Sequence, residues 1–131
     1  MRGQAIVTVA GKGMVGGHGI AARTFVAVDS ERLSVSTIFQ ASSESSIGFT
    51  LPEGESERAV KSLRAAFRDE LELGLIDNVT ARPGMAVVAV VGDGMAGAPG
   101  IAARVFSALS AGGINVVAID LPPLRERRGD V

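Results

Sequence analysis

Cysteine is absent from all 131 residues, which excludes disulfides, thiolate zinc sites and cysteine nucleophiles without fixing the compartment. Histidine occurs once, at His18, and a lone histidine in a glycine loop reads as a solvated side chain rather than a ligand, so no metal is assigned. Charge of one sign is not in excess: 13 basic residues face 14 acidic ones. The chain therefore carries no electrostatic footprint for nucleic acid or an anionic membrane. The longest unbroken apolar run, Met85 to Val91, is far too short to span a membrane. The N-terminus lacks the basic-then-apolar layout of a signal peptide, and a cytoplasmic location is the default expectation. What remains is a globular chain, 47% hydrophobic, long enough for one ordinary domain or two very small ones.

A repeat organises it. "GKGMVGGHGIAARTF" (Gly11 to Phe25) aligns with "GDGMAGAPGIAARVF" (Gly92 to Phe106) at an offset of 81 residues, sharing G-x-G-M-x-G-x-x-G-I-A-A-R-x-F. Apolar runs precede both loops, Ala5 to Ala10 and Met85 to Val91, and "LSVSTI" (Leu33 to Ile38) answers "INVVAI" (Ile114 to Ile119). Each copy thus reads strand, glycine loop, helix, strand. The first helix is expected from about Ile20 to Val28. In the second copy Pro99 suits a first turn and "AGGIN" supplies stopping glycines. Ala21, Ala22 and Phe25, with Ala102, Ala103 and Phe106, are expected to let the helices lie close to a sheet, leaving Arg23 and Arg104 toward the rim.

After Ile38 the first copy continues with a serine-rich turn and a hairpin strand whose apolar positions are Ile47, Phe49 and Leu51. A helix over Ser56 to Leu73 follows, with Val60, Leu63, Phe67 and Leu71 on one face and Glu53, Glu55 and Glu57 at its positive end. "LIDNVTARPG" adds a short strand and a turn. The order β-α-β-β-α-β is the ferredoxin-like plan, an α+β fold. The second copy stops at β-α-β: after Ile119 comes "DLPPLRERRGDV", in which two prolines and a charged, solvated end replace the next turn and strand.

Gly11, Gly13 and Gly16 also fit the dinucleotide fingerprint G-x-G-x-x-G, as do Gly92, Gly94 and Gly97. That fold needs a continuing parallel alternation and an acid at the end of the second strand. Asp120 suits the second copy, but the first has Phe39 and Gln40 there and then a hairpin. A dinucleotide-binding fragment is therefore the weakest alternative, behind a structural module that dimerises and binds nothing, and no cofactor is expected. A strand, a glycine loop and a helix N-terminus can equally hold a small anion such as an amino acid's carboxylate, on the main-chain amides of Met14 to Gly19. Gln40, Ser42 and Ser43, just beyond the second strand, could receive the ammonium group and side chain. The serine run Ser42 to Ser46 has no base placed beside it and reads as a turn rather than a nucleophile cluster. Met14 and Met95 read as plugs between helix and sheet.

The glycine loops, "LSVSTIFQASSESSIGFTL" and "VVAVVGDGMAGAPGIAARVFSALSAGGINVVAI" together resemble the paired ACT domains in the regulatory region of aspartate kinase, over about residues 4 to 119. The bifunctional aspartate kinase/homoserine dehydrogenase type is the closest likeness. The resemblance implies an ACT domain at 1–84 followed by an incomplete ACT unit at 85–131. It also implies a pathway amino acid, threonine or lysine, as allosteric effector. It carries the effector site onto Gly13, Met14, Val15, Gly16, Gly17 and His18, onto Ile38, and onto Gln40 in the family's ligand-facing glutamine position.

Neither catalytic domain of the family adjoins the repeat, so no catalytic residues are assigned and this chain alone is expected not to be an enzyme. Past Ile119 the family would supply a second glutamine, where Leu121 stands here, leaving the second effector site incomplete. A gene remnant or a frame change near codon 120 would account for that departure. The short second copy needs a partner for its strands, on this chain or another, and a homodimer is expected.

Overall fold

The computed structural model describes residues 1–12, 19–40, 46–89 and 100–117, which fall into two compact units, Met1–Val88 and Ala89–Val131. In the first unit β1 (Gln4–Ala10), α1 (Ile20–Ser30), β2 (Thr37–Gln40), β3 (Ser46–Pro52), α2 (Ser56–Ala66), α3 (Arg68–Glu72) and β4 (Asn78–Met85) follow in chain order. The sheet is ordered β2-β3-β1-β4 and each neighbouring pair is antiparallel. This is the split β-α-β arrangement. The parallel alternation of a dinucleotide fold is absent among the described residues.

Period-two alternation puts Ala5, Val7 and Val9 of β1 and Ile47, Phe49 and Leu51 of β3 on one face. They are buried together with Ile20, Val28, Ala59, Leu63, Phe67, Ile76 and Val79 in a single core between sheet and helices. The apolar stripe expected of Ser56 to Leu73 does face this core, although the helix is interrupted at Phe67, whose φ of −109° and ψ of 26° leave the helical region. No glycine or proline is present there to demand the break.

Helix α1 packs differently from expectation. Its buried residues are Ile20, Thr24 and Val28, spaced four apart, while Ala21 and Ala22 face solvent. Thr24 tolerates full burial because its hydroxyl donates to the Ile20 carbonyl at 2.8 Å, which removes the cost of an unpaired polar group. The second strand is also shifted. The Leu33 N–H donates to the Val28 carbonyl and the Ser34 N–H to the Glu55 carboxylate at 2.7 Å, so the ladder begins only at Thr37. Gln40 is its last residue rather than a turn residue beyond it.

Met85, taken above as the start of the second copy, closes β4 instead, and the Val87 N–H donates to the Met1 carbonyl at 2.8 Å. In the second unit α4 (Ile101–Ala111) repeats α1. Gly19 and Gly100 stand at the two N-caps with φ of 81° and 83°, the left-handed region glycine reaches without strain. Residues 86–89 and 114–117 join no ladder, and Val88 and Ile114 are 73% and 56% exposed. Outside a ladder an apolar run has the composition of a strand but not its repeated pairing.

Candidate functional site

The site expected from the sequence lies where β1 ends and α1 begins. Gly13, Met14, Val15, Gly16, Gly17 and His18 fall outside the described residues, as do Ser42, Ser43, Met95 and Asp120. The two ends flanking the first gap are described, and each has a physical reason for its glycine. A Cβ on Gly11 would stand 2.5 Å from both the Ile76 Cα and the Leu75 carbonyl oxygen and 2.8 Å from the Asp77 nitrogen. The incoming chain of β4 thus crosses Gly11 backbone to backbone, and the Asp77 N–H donates to the Ala10 carbonyl at 2.8 Å. The first glycine of the fingerprint serves packing. At the other end Gly19 starts α1 with no side-chain cap and no acidic residue in its first turn, so among the described residues no side chain caps the early amides, and the helix dipole there favours an anion.

Ile38 and Gln40 lie on β2. Their register partners are Phe49 and Ile47, whose own partners on β1 are Val7 and Val9. Both candidate residues therefore share the helix-bearing face, on the edge strand, and Ile38 is 48% exposed there. Gln40, also exposed, stands in the row of Val9, one residue before β1 ends. Two strand spacings, roughly 10 Å, separate that row's ends.

On the helix layer, Arg23 of α1 reaches the α2–α3 segment. Its guanidinium pairs with the Glu70 carboxylate, donates to the Ala66 carbonyl at 2.7 Å, and lies 4.7 Å from the centre of the Phe67 ring. The hydrogen bond from Arg23, joined by a backbone hydrogen bond, holds the Glu70 carboxyl below its ordinary range. The partnership was not legible in the sequence, because 47 positions separate the two residues.

Two open grooves are formed by described residues, one of about 390 Å³ between α1 and α2 beside Val26 and Ala66, the other of about 790 Å³ beside Glu53, Lys61 and Pro83. Neither is lined by Ile38 or Gln40. Among the described residues no cluster of three or more His, Asp or Glu could hold a metal ion, and no helix is long and apolar enough to cross a membrane.

A family model described as the ACT domain matches residues 7–67 and 88–120, a segment in each copy of the repeat. The bifunctional aspartokinase/homoserine dehydrogenase of Daucus carota chloroplasts is 43% identical over 115 residues, which cover 88% of this chain and 12% of that protein. Among solved structures, the regulatory subunit of aspartate kinase from Thermus flavus superposes with a TM-score of 0.73 at 25% identity, covering 93% of this chain and 78% of that one. Escherichia coli aspartokinase III in complex with lysine and aspartate, in its T-state, gives a TM-score of 0.64 at 27% identity, over 93% of this chain and 26% of that one. This chain belongs to the ACT domain family, and it spans about an eighth of the length of the carrot relative.

Proposed function

We propose that this chain is an amino-acid-sensing regulatory module of the aspartate kinase/homoserine dehydrogenase type. Its effector is threonine or lysine, bound by its carboxylate to main-chain amides of Gly13 to His18 and read by Ile38 and Gln40. The observation that carries this reading is the shared end of the sheet. The strands β1 and β2 run parallel on either side of β3 and finish at the same end of the sheet, with Gln40 and the start of α1 on the same face. A carboxylate suits that end of a helix, and a carboxamide can both donate to and accept from a ligand. The lysine complex of the similar E. coli enzyme supports the choice of ligand class.

The mechanism is a population shift: effector binding favours one packing of ACT units, and a catalytic domain joined to them feels the difference. The chain itself contributes sensing and no catalytic step, works in the cytoplasm, and pairs as a homodimer through its ACT units.

Thermal unfolding with threonine, lysine, NAD and NADP tests the proposal. A ligand at about a hundred times its Kd stabilises by roughly 2.7 kcal/mol. A rise in Tm with threonine or lysine that Gln40→Ala abolishes is expected. A rise with NAD alone, or none with any amino acid, ends it.

A further inference from the structure

The two ends that flank residues 13–18 are held by one residue of α3. Glu70 uses its carboxylate to bind Arg23, and the Arg23 N–H closes the first turn of α1 onto the Gly19 carbonyl at 2.8 Å. With its main-chain carbonyl Glu70 accepts the N–H of Leu75 at 2.9 Å and of Ile76 at 3.1 Å. Those are the residues whose backbone presses on Gly11. From Glu70 one path thus leads to Gly19 and the other to Gly11, each through two links.

Arg23 is more firmly fixed than an ordinary surface arginine. It makes a forked bond to Glu70, a bond to the Ala66 carbonyl at the end of α2, and a cation–π contact with the buried Phe67. The motif keeps an arginine at the matching place in the second copy, where the Arg104 N–H again closes onto its N-cap glycine, Gly100, at 3.0 Å.

We propose that Arg23 and Glu70 are positioning residues for the amino-acid site, a clamp that sets the distance between Gly11 and Gly19 and links it to α2–α3. The proposal rests on the effector reading above. A ligand that favours one separation of the two ends would then shift α3 against α1, the displacement a neighbouring domain could sense.

The test uses the whole chain and the variants Glu70→Gln and Arg23→Lys, the second retaining charge while losing the planar fork. Native-state cleavage by trypsin after the exposed Lys12, without ligand, reports local opening between the ends. Cleavage after Lys61, in the middle of α2, serves as internal reference. Loss of one exposed ion pair should speed cleavage at Lys12 by about two- to fivefold in Glu70→Gln. Arg23→Lys should fall between it and wild type, and Lys61 cleavage should stay unchanged. The Tm rise with threonine or lysine should shrink in the same order.

Unchanged Lys12 cleavage in both variants overturns the clamp whatever the ligand result. Faster cleavage with an undiminished ligand response overturns its link to binding. Faster cleavage in a protein whose wild type responds to no amino acid upholds the clamp as a structural tie and sinks the effector reading instead. Should Glu70→Gln fail to fold, Arg23→Lys alone decides by the same two readouts.

Discussion

Gly11 and Ile76 touch backbone to backbone: a methyl group on Gly11 would be 2.5 Å from the Ile76 Cα. A second glycine, Gly48, is equally crowded, its missing Cβ lying 2.5 Å from Cε2 of the Phe39 ring. The obstacles differ in kind. Phe39 is an edge-strand side chain that can swing away, whereas residues 75–77 are tied to Ala10 and Glu70. Gly48→Ala is therefore expected to cost about 1 kcal/mol and Gly11→Ala about 3 kcal/mol. Urea denaturation midpoints would show the order, and equal costs would contradict it.

Arg32 is the only non-glycine residue with positive φ among the described residues, at 53°. Its counterpart in the repeat is Gly113, at 72°. Both end their helices in the same way: the N–H of Leu33 and of Ile114 reach back to Val28 and Leu109, and those of Arg32 and Gly113 to Asp29 and Ser110. This is the six-residue closure that favours glycine at its left-handed position. Arg32→Gly should stabilise the chain by about 1 kcal/mol, and a lowered Tm would show that the arginine has a compensating contact.

The Arg23–Glu70 pair gives stability a signed dependence on pH. The pairing with Arg23 lowers the Glu70 carboxyl from its ordinary value of 4.5. A lowered folded value means that the contribution is fully present above pH 4.5 and is lost as the pH falls through the folded value. The stability difference between wild type and Glu70→Gln should thus be constant near neutrality and shrink below pH 4.5. A difference that persists at pH 2 would assign the effect to packing.

Gln40→Ala should alter ligand response without altering the fold. Gln40 is exposed at the end of an edge strand, and substitutions at such places change stability by only about 0.5 kcal/mol. Matching urea midpoints for variant and wild type are expected. A loss well beyond that would make Gln40 a structural residue and undercut its use as the ligand's reader.

How much of this was legible can be followed residue by residue. Hydrophobic spacing identified Ile47, Phe49 and Leu51, and Leu63 and Phe67, as core, because alternation and helical periodicity are local properties. The same logic failed on α1. Small Ala21 and Ala22 suggested close packing, yet the buried face is Ile20, Thr24 and Val28. A threonine that satisfies its hydroxyl on its own helix counts as apolar in a core, and composition does not reveal that. The candidate site divides similarly. Motif likeness pointed to Ile38 and Gln40, and alternation puts both on one face, but that this is the helix-bearing face follows from pairing with Phe49 and Ile47, a register no single strand encodes.

By itself the sequence determined the order of elements in the first unit, the repeated helix and the two glycine caps. Each of these depends on residues within a few positions of one another, where main-chain sterics and periodicity act. The tertiary structure alone decided why Gly11 must be glycine, where β2 begins, and that Glu70 serves Arg23 with its side chain and Ile76 with its main chain. Those contacts join segments tens of residues apart, and their geometry exists only once α1, α3 and the start of β4 converge on one core.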